Sequence, residues 1–281
     1  MDLFVFLAVL FAAGCHAAWN ASIKGPLDPL ATTVLIALGA GLVALPGIAW
    51  AGLPATASWL WLIASVLIHI FYFAGLIESY RAGDLGQVYP IARGAAPLMT
   101  AAASLALVGE RLSVAAWSGI AVLASGVLLL SARGGRGLAG LDRRAVGFAL
   151  LTALTICAYS VVDGVGARAS LNPQSYVLWL LVGNALLLVP YALWRDGGKI
   201  VPVMQRFWLR GLAGGALQAL SYCIALWAMT LAPIAIVASL RETSVLFGTG
   251  IAVVVLKEPL RAARIVAALL IVIGLVVIRL Q

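Results

Sequence analysis

Two arginines lie inside apolar stretches long enough to cross a membrane. Arg93 and Arg241 each stand about nine residues into such a stretch, too deep for easy escape to the interface. An arginine in the bilayer interior costs roughly 2.5–3.5 kcal/mol by insertion scales, so its presence marks a polar site. A planar guanidinium binds carboxylate or phosphonate groups in a bidentate manner. The arginines therefore predict anion binding or gating, with an interhelical ion pair as the structural alternative.

These two arginines also occupy one position of a repeated segment. Sliding the chain by 148 residues places Arg93 on Arg241 without a gap. The same shift aligns five further identical pairs: Leu98 with Leu246, Glu110 with Glu258, Leu112 with Leu260, Ala115 with Ala263 and Gly126 with Gly274. Secondary transporters are often built from such repeats, with the substrate site at the repeat interface.

Further polar and aromatic side chains recur at spacings of three or four residues, which places each set on one helix face. Hydrogen bonding to a neighbouring helix is the alternative role for the two polar residues of the first span, His16 and Asn20. The complete predicted solute-binding set is His16, Trp19, Asn20, Tyr72, Tyr89, Arg93, Tyr159, Tyr222, Arg241 and Glu242.

Glu242 directly follows Arg241, and successive residues of a helix point about 100° apart, so these two are not expected to pair. Arg93 could instead pair with Glu242 across the centre, or each arginine could face backbone carbonyls. Glu242 is predicted to be the proton-titrating group of the site, with His16 next.

Other polar residues of the spans receive structural interpretations. His69 is expected to be structural, and Lys24 and Asp163 stand near span ends, where their charged groups could reach the interface. Pro90 and Pro97 flank the first arginine, and each proline removes one backbone hydrogen bond. Span four is therefore predicted to be broken near the site.

Composition determines the class of protein that positions these residues. Of the 281 residues, 64% are hydrophobic and only 10% are charged, whereas soluble chains have about a quarter charged residues. A helix needs about 20 apolar residues to span a bilayer. Ten segments meet this requirement: 3–23, 30–50, 57–79, 85–108, 113–132, 145–165, 174–194, 209–230, 233–256 and 262–280. No soluble domain is predicted.

The predicted fold is an all-α membrane protein of ten transmembrane helices in two five-helix repeats. The first repeat covers residues 1–132 and the second covers 145–281. Because five is an odd number, the second repeat would enter the membrane in the opposite sense, which makes the repeats inverted.

The short turn motifs Gly109-Glu110-Arg111-Leu112 and Lys257-Glu258-Pro259-Leu260 resemble those of EamA-type transporters in the drug/metabolite transporter superfamily. Residues 233–242 and the late glycines Gly126 and Gly274 carry the same likeness. The segment His16-Ala17-Ala18-Trp19-Asn20 resembles a subgroup with a His-Ala-x-Trp-Asn signature, some members of which are associated with phosphonate-utilisation genes. The resemblance implies a cavity lined by spans one, three, four, six, eight and nine, with spans five and ten peripheral.

The residue pattern argues against several other functions. The net charge of +8 is distributed between apolar runs rather than over one basic face, so no nucleic-acid binding is predicted. Cys15, Cys157 and Cys223 lie in apolar runs and are interpreted as packing residues. No metal site or cofactor is predicted. The chain contains no ATP-binding Gly-x4-Gly-Lys-Ser/Thr pattern, so transport is expected to draw on a gradient.

The predicted function is secondary transport of a small organic solute, an anionic or zwitterionic metabolite, by alternating access. Its partners would be the solute, the lipid bilayer of the bacterial inner membrane and protons as coupling ions, with the protein a monomer or a homodimer. A flippase for a lipid-linked sugar is one alternative. A membrane-embedded enzyme acting on lipid-linked substrates is a weaker one, since no catalytic constellation is recognisable and the chain is not predicted to be an enzyme.

Positive charges predict the orientation. The odd-numbered links between spans carry 13 of the 18 lysines and arginines, whereas the even links and both tails carry three. The positive-inside rule then places the odd links in the cytoplasm and both termini in the periplasm. The resemblance to better-known members of the superfamily implies the reverse arrangement, with both termini in the cytoplasm.

Overall fold

The protein is a bundle of α-helices in a computed structural model that describes residues 1–23, 28–82, 85–132, 143–254, 257 and 262–281. No β-strand occurs within these ranges. The helices are α1 (Leu3–Ile23), α2 (Pro29–Ala51), α3 (Trp59–Ala82), α4 (Leu85–Ala103), α5 (Val114–Ala132), α6 (Arg143–Ala169), α7 (Pro173–Asp196), α8 (Ile200–Leu231), α9 (Ile234–Arg241), α10 (Ser244–Val254) and α11 (Ala262–Leu280).

These elements account for the ten predicted spans. Over the described parts of the chain, nine helical segments are long and apolar enough to cross a membrane, with α9 and α10 together forming one of them. The remaining predicted span corresponds to α5, whose apolar part Val114–Leu130 is shorter. Helices satisfy their own backbone hydrogen bonds, which is the requirement for crossing a bilayer. The protein is therefore a multi-pass α-helical membrane protein.

The beginnings of two helices show how the sequence specifies their ends. The Asp28 carboxylate accepts hydrogen bonds from the amides of Leu30 and Ala31, and Pro29 occupies the first turn of α2. The Asn172 amide oxygen caps α7 in the same way, again followed by a proline. Such caps satisfy amides that have no partner within the helix.

Helix α8 is longer than the predicted span eight, 209–230, because it begins at Ile200, within the predicted link 195–208. The added turns precede a kink, and the predicted span begins just after it. Val203 and Met204 pack with Ile200 against buried residues of α2 and α7, so this amphipathic turn is stabilised by tertiary contact rather than by uniform hydrophobicity. Phe207 leaves helical geometry (φ −114°, ψ 17°) and kinks the helix.

The break near the arginines lies in span nine and not in span four. The backbone of α4 is helical throughout 85–103, past Pro97, so the expected break beside Arg93 is not found there. The last residues of span four, Ser104–Val108, form a π-helical turn. Span nine instead separates into α9 and α10. The amides of Glu242 and Thr243 bond the carbonyls of Ser239 and Leu240, three residues back, which tightens the chain between the two helices.

Small residues allow the helices to cross closely. A Cβ added to Gly119 of α5 would lie 3.0 Å from the carbonyl oxygen of Gly274 on α11. Near the other end of the crossing, a Cβ on Gly126 would lie 2.9 Å from the carbonyl oxygen of Ala267. Because the earlier residue of α5 meets the later residue of α11, the two helices run antiparallel.

Around the centre, α1 packs on α8, α3 and α4 pack on α6, and α9 and α10 contact α1. Helices α5 and α11 pack chiefly on each other, and α5 also on α4. This arrangement brings the polar faces of six spans to one interior region.

Candidate functional site

The polar centre is a small enclosed space between α4, α6 and α9. Arg93, Tyr159, Arg241 and Glu242 line it, together with less polar residues and Thr100. Its volume is about 10 Å³, close to the minimum that holds one water molecule. Four of the predicted binding residues therefore meet in one place, in a closed conformation that has no room for a solute.

Arg93 joins the two sides of the break in span nine. Its Nε lies 2.7 Å from Oε2 of Glu242, which follows α9, and its Nη2 donates a 2.8 Å hydrogen bond to Oγ of Ser244, which begins α10. Arg93 and Glu242 are each only 4% exposed. The pairing of Arg93 with Glu242, one of the two arrangements left open by the sequence, is the one present in this structure.

Arg241 has different surroundings. Its guanidinium carbon lies 5.0 Å from the ring centroid of Tyr222, within the range of a cation–π contact. Its buried Nε has no hydrogen-bond partner and its side chain forms no salt bridge among the described residues. The side chain is half-buried. Arg241 thus retains more capacity to bind an added anionic group than Arg93.

The repeated sequence explains this difference. At the 148-residue offset, the positions of Glu242 and Ser244 correspond to Gly94 and Ala96. Glycine and alanine have no side-chain group that accepts a hydrogen bond from a guanidinium. The second half of the chain therefore supplies these two partners of Arg93, while the corresponding positions of the first half carry no acceptor side chain.

Helix α1 contributes the histidine and tryptophan of its polar face. The rings of His16 and Trp19 contact edge to face with centroids 5.0 Å apart. His16 lies within electrostatic range of both arginines. The Asn20 amide nitrogen donates to the His16 carbonyl oxygen at 3.0 Å, a bond within α1 itself. This hydrogen bond of Asn20 therefore stays within α1 and does not reach a neighbouring helix.

An aromatic cluster connects α3, α6 and α8. The His69 ring stacks on the Tyr159 ring with centroids 4.5 Å apart, and Tyr72 contacts Tyr159 at 5.6 Å. His69 also meets the Tyr222 ring edge to face at 6.2 Å. Tyr72 and Tyr222, predicted from separate helices, therefore reach the same cluster. The side chain of Tyr89 lies outside the described residues.

Asp163 was left out of the predicted set, and the expectation that it reaches the interface was wrong. Its side chain is fully buried and accepts a 3.0 Å hydrogen bond from the Tyr176 hydroxyl and a second bond from the Tyr222 hydroxyl. The sequence signal was present, because Asp163 lies four residues after Tyr159 on the same helix face. Helix α6 continues for six residues beyond Asp163, to Ala169, so Asp163 does not lie at the helix end.

The face formed by the even-numbered links is closed by polar contacts. Nη2 of Arg168 lies 2.6 Å from Oε1 of Glu110, and the Glu110 carboxylate accepts hydrogen bonds from the Ile234 amide at the start of α9. Arg168 also donates to the carbonyl oxygens of Met229 and Ala232. A carboxylate at a helix N-terminus satisfies free amides and complements the helix dipole. Glu110 therefore links the two halves of the chain at this face.

Residues 143–280 match the EamA-like transporter family. The match covers the second half of the chain, called the EamA-like half below, and supports the assignment of the protein to the drug/metabolite transporter superfamily. The domain indicates a membrane transporter.

Among solved structures, one crystal structure resembles this chain over 99% of its length and 96% of that chain, with 19% sequence identity and a TM-score of 0.76. At this identity the likeness concerns the fold. No protein of curated function matches the sequence significantly.

The EamA-like half contributes Tyr159, Asp163, Tyr222, Arg241 and Glu242 to the centre. The other half contributes His16, Tyr72 and Arg93. The arrangement can bind an anion at one guanidinium, hold a second guanidinium in an ion pair, and carry a proton on a buried carboxylate.

Proposed function

We propose that the protein is a secondary transporter that moves a small anionic or zwitterionic organic metabolite across the bacterial inner membrane by alternating access. The observation that carries this proposal is the environment of Arg241. A half-buried guanidinium beside an aromatic ring, with hydrogen-bonding capacity left over, suits the carboxylate or phosphonate of a solute.

The small size of the central space is consistent with alternating access. A cavity of about 10 Å³ cannot hold a metabolite, so binding requires the halves to move apart. The Glu110–Arg168 pair holds one face closed, and opening there requires it to separate. The tightened turn between α9 and α10 places the interruption of the helix next to Arg241 and Glu242. Transporters that bind solutes at discontinuous helices have the same arrangement.

We propose further that the halves are an inverted repeat, 1–132 and 145–281, both of EamA type. The contact of Gly119 with Gly274 corresponds to that of Ala267 with Gly126 once 148 is added or subtracted. Antiparallel helices related by a two-fold axis in the membrane plane make contacts of this reciprocal kind. The packing of α1 on α8 likewise corresponds to that of α6 on α3.

Thermal unfolding of the purified protein in the presence of candidate solutes tests the function. We expect amino acids or phosphonates to raise the melting temperature, because a ligand that binds only the folded state stabilises it. Compounds that lack an acidic group, such as nucleosides and simple amines, should not do so. Arg241→Lys should lose the shift, whereas the control Arg206→Lys, at the kink of α8, should retain it.

Uptake into liposomes then distinguishes transport from binding alone. A solute that stabilises the protein should accumulate in proteoliposomes. Stabilisation only by a lipid-linked sugar, or chemical conversion of such a lipid by the purified protein, would overturn the proposal in favour of a flippase or an enzyme.

A further inference from the structure

Asp163 is a fully buried carboxylate without a fixed cationic partner. The two hydrogen bonds to it come from tyrosine hydroxyls, those of Tyr176 on α7 and Tyr222 on α8. Among the described residues it forms no salt bridge. The polar and titratable groups that face it from all surrounding helices are Ser65 and His69 on α3, Tyr159 on α6, Tyr176 on α7, Tyr222 on α8 and, beyond the Tyr222 ring, Arg241 on α9.

Glu242, the other buried carboxylate of the centre, has a different neighbour. It lies 2.7 Å from the Arg93 guanidinium, which carries its charge at every accessible pH. Adding a proton to Glu242 would leave that buried arginine uncompensated, which is costly. Adding a proton to Asp163 leaves neighbours without a fixed charge: the hydroxyls of Tyr176, Tyr222 and Ser65 and the His69 ring. The geometry therefore favours Asp163 over Glu242, the group predicted from sequence, as the carboxylate that changes its charge.

Tyr222 connects Asp163 to the anion-binding centre. Its hydroxyl donates to Asp163 while its ring lies beneath the Arg241 guanidinium at 5.0 Å. An ionised carboxylate only accepts hydrogen bonds, whereas a protonated one must also donate one. Protonation would therefore remove an acceptor from the tyrosine pair and favour reorientation of a tyrosine side chain. Movement of Tyr222 would displace the ring on which Arg241 rests.

We propose that Asp163 is the proton-binding site through which a proton gradient drives transport, and that Tyr222 transmits the protonation of Asp163 to Arg241. The coupling role rests on the proposed transport function. The step consists of the addition of one proton to a carboxylate oxygen and its later release to the opposite side. No other bond forms or breaks. Proton binding by Asp163 and transmission through Tyr222 can each be measured separately and without a solute.

Infrared spectroscopy during a pH titration tests proton binding. Protonated carboxyl groups have a carbonyl stretching band that ionised ones lack, and isotopic labelling of aspartate shifts this band only when it arises from an aspartate. We expect a pH-dependent band that shifts with labelled aspartate, remains in Glu242→Gln and is lost in Asp163→Asn. Asp163→Glu serves if the asparagine variant fails to fold, because it keeps a carboxyl group at this position. Its band should no longer shift when aspartate is labelled. A band that stays in Asp163→Asn and is lost in Glu242→Gln would overturn the proposal.

Hydrogen exchange of the segment Ile234–Val254 tests transmission, with rates at low and high pH corrected for the intrinsic pH dependence of exchange. We expect the corrected rates around the α9–α10 turn to differ between the two pH values in the unmodified protein. Tyr222→Phe keeps the ring under Arg241 but removes the hydroxyl, and it should abolish this difference. Tyr176→Phe is the matched control, because it removes the other hydroxyl from Asp163 without touching Arg241, and the difference should persist. Equal behaviour of the two variants would refute transmission through Tyr222.

These measurements separate the two proposals. A titrating Asp163 in a protein that moves no solute would leave the proton site standing and overturn the transport function. Solute uptake with unchanged pH dependence in Asp163→Asn would support the transport function and overturn the proton site.

Discussion

Arg93 and Arg241 coincide when the sequence is shifted by 148 residues, yet the structure gives them different surroundings. Arg93 is almost fully buried and bound on two sides by Glu242 and Ser244. Arg241 is half-buried and rests on the ring of Tyr222. The difference arises because the residues that bind Arg93 have only Gly94 and Ala96 as counterparts in the other half. Of two arginines at a costly position, one is thus held in an ion pair while the other keeps an unbonded Nε.

The largest expected effect is on stability at the first arginine. Arg93→Ala leaves Glu242 buried without its cation, and loss of one partner of a buried ion pair costs about 3–5 kcal/mol. We expect a strongly lowered melting temperature in detergent. Arg93→Met combined with Glu242→Leu removes both charges and should recover most of the loss. If the double variant is no more stable than Arg93→Ala, the ion pair is not what holds α4 to the break in span nine.

Arg241 should show the opposite behaviour. Arg241→Lys keeps the charge but loses the planar fork, and a hydrogen bond to a charged group contributes about 1.5–3 kcal/mol. We expect solute affinity to fall roughly 10- to 100-fold, while the melting temperature without solute changes little. Calorimetric titration with a stabilising solute measures the first effect. Arg93→Lys is the matched comparison, and it should lower the melting temperature before any solute is added.

Positions where both halves carry the same residue should respond alike. Gly126 and Gly274 each face backbone atoms across the α5–α11 crossing, where an added methyl carbon would lie 2.9 Å and 2.7 Å, respectively, from a carbonyl oxygen. Overpacking of this kind costs about 1–3 kcal/mol. We expect Gly126→Ala and Gly274→Ala to lower the melting temperature by similar amounts. Clearly unequal shifts would weaken the case for a two-fold relation between α5 and α11.

The smallest effect on stability is expected from a tag that reports the orientation of the protein in the membrane. A reporter fused to Gln281 should leave stability unchanged, because the C-terminus is exposed. The distribution of positive charge predicts activity of a reporter that works only in the periplasm and no signal from one that is fluorescent only in the cytoplasm. The reverse result would mean that the arginine-rich odd links lie outside.

Several features of the candidate site were accessible from sequence because they depend on local spacing. Helical spacing predicts inward faces for His16, Arg93, Tyr159 and Tyr222. The 148-residue offset singles out Arg241, and the structure brings all five to one region. The burial of Asp163 is not predictable in this way, because closeness to a span end does not by itself make a side chain exposed. Three other helices cover it, and their position cannot be read from the sequence of α6.

Amino-acid sequence alone determined the membrane class and the coincidence of the two arginines, since these follow from hydrophobic length and from identity at a fixed offset. Tertiary structure decided which arginine is paired, where span nine breaks, and that the segment beginning at Ile200 is helical. The physical reason is the same in each case. Burial, pairing and the stability of a marginal helical turn depend on side chains that are distant along the chain and become neighbours only when the helices pack.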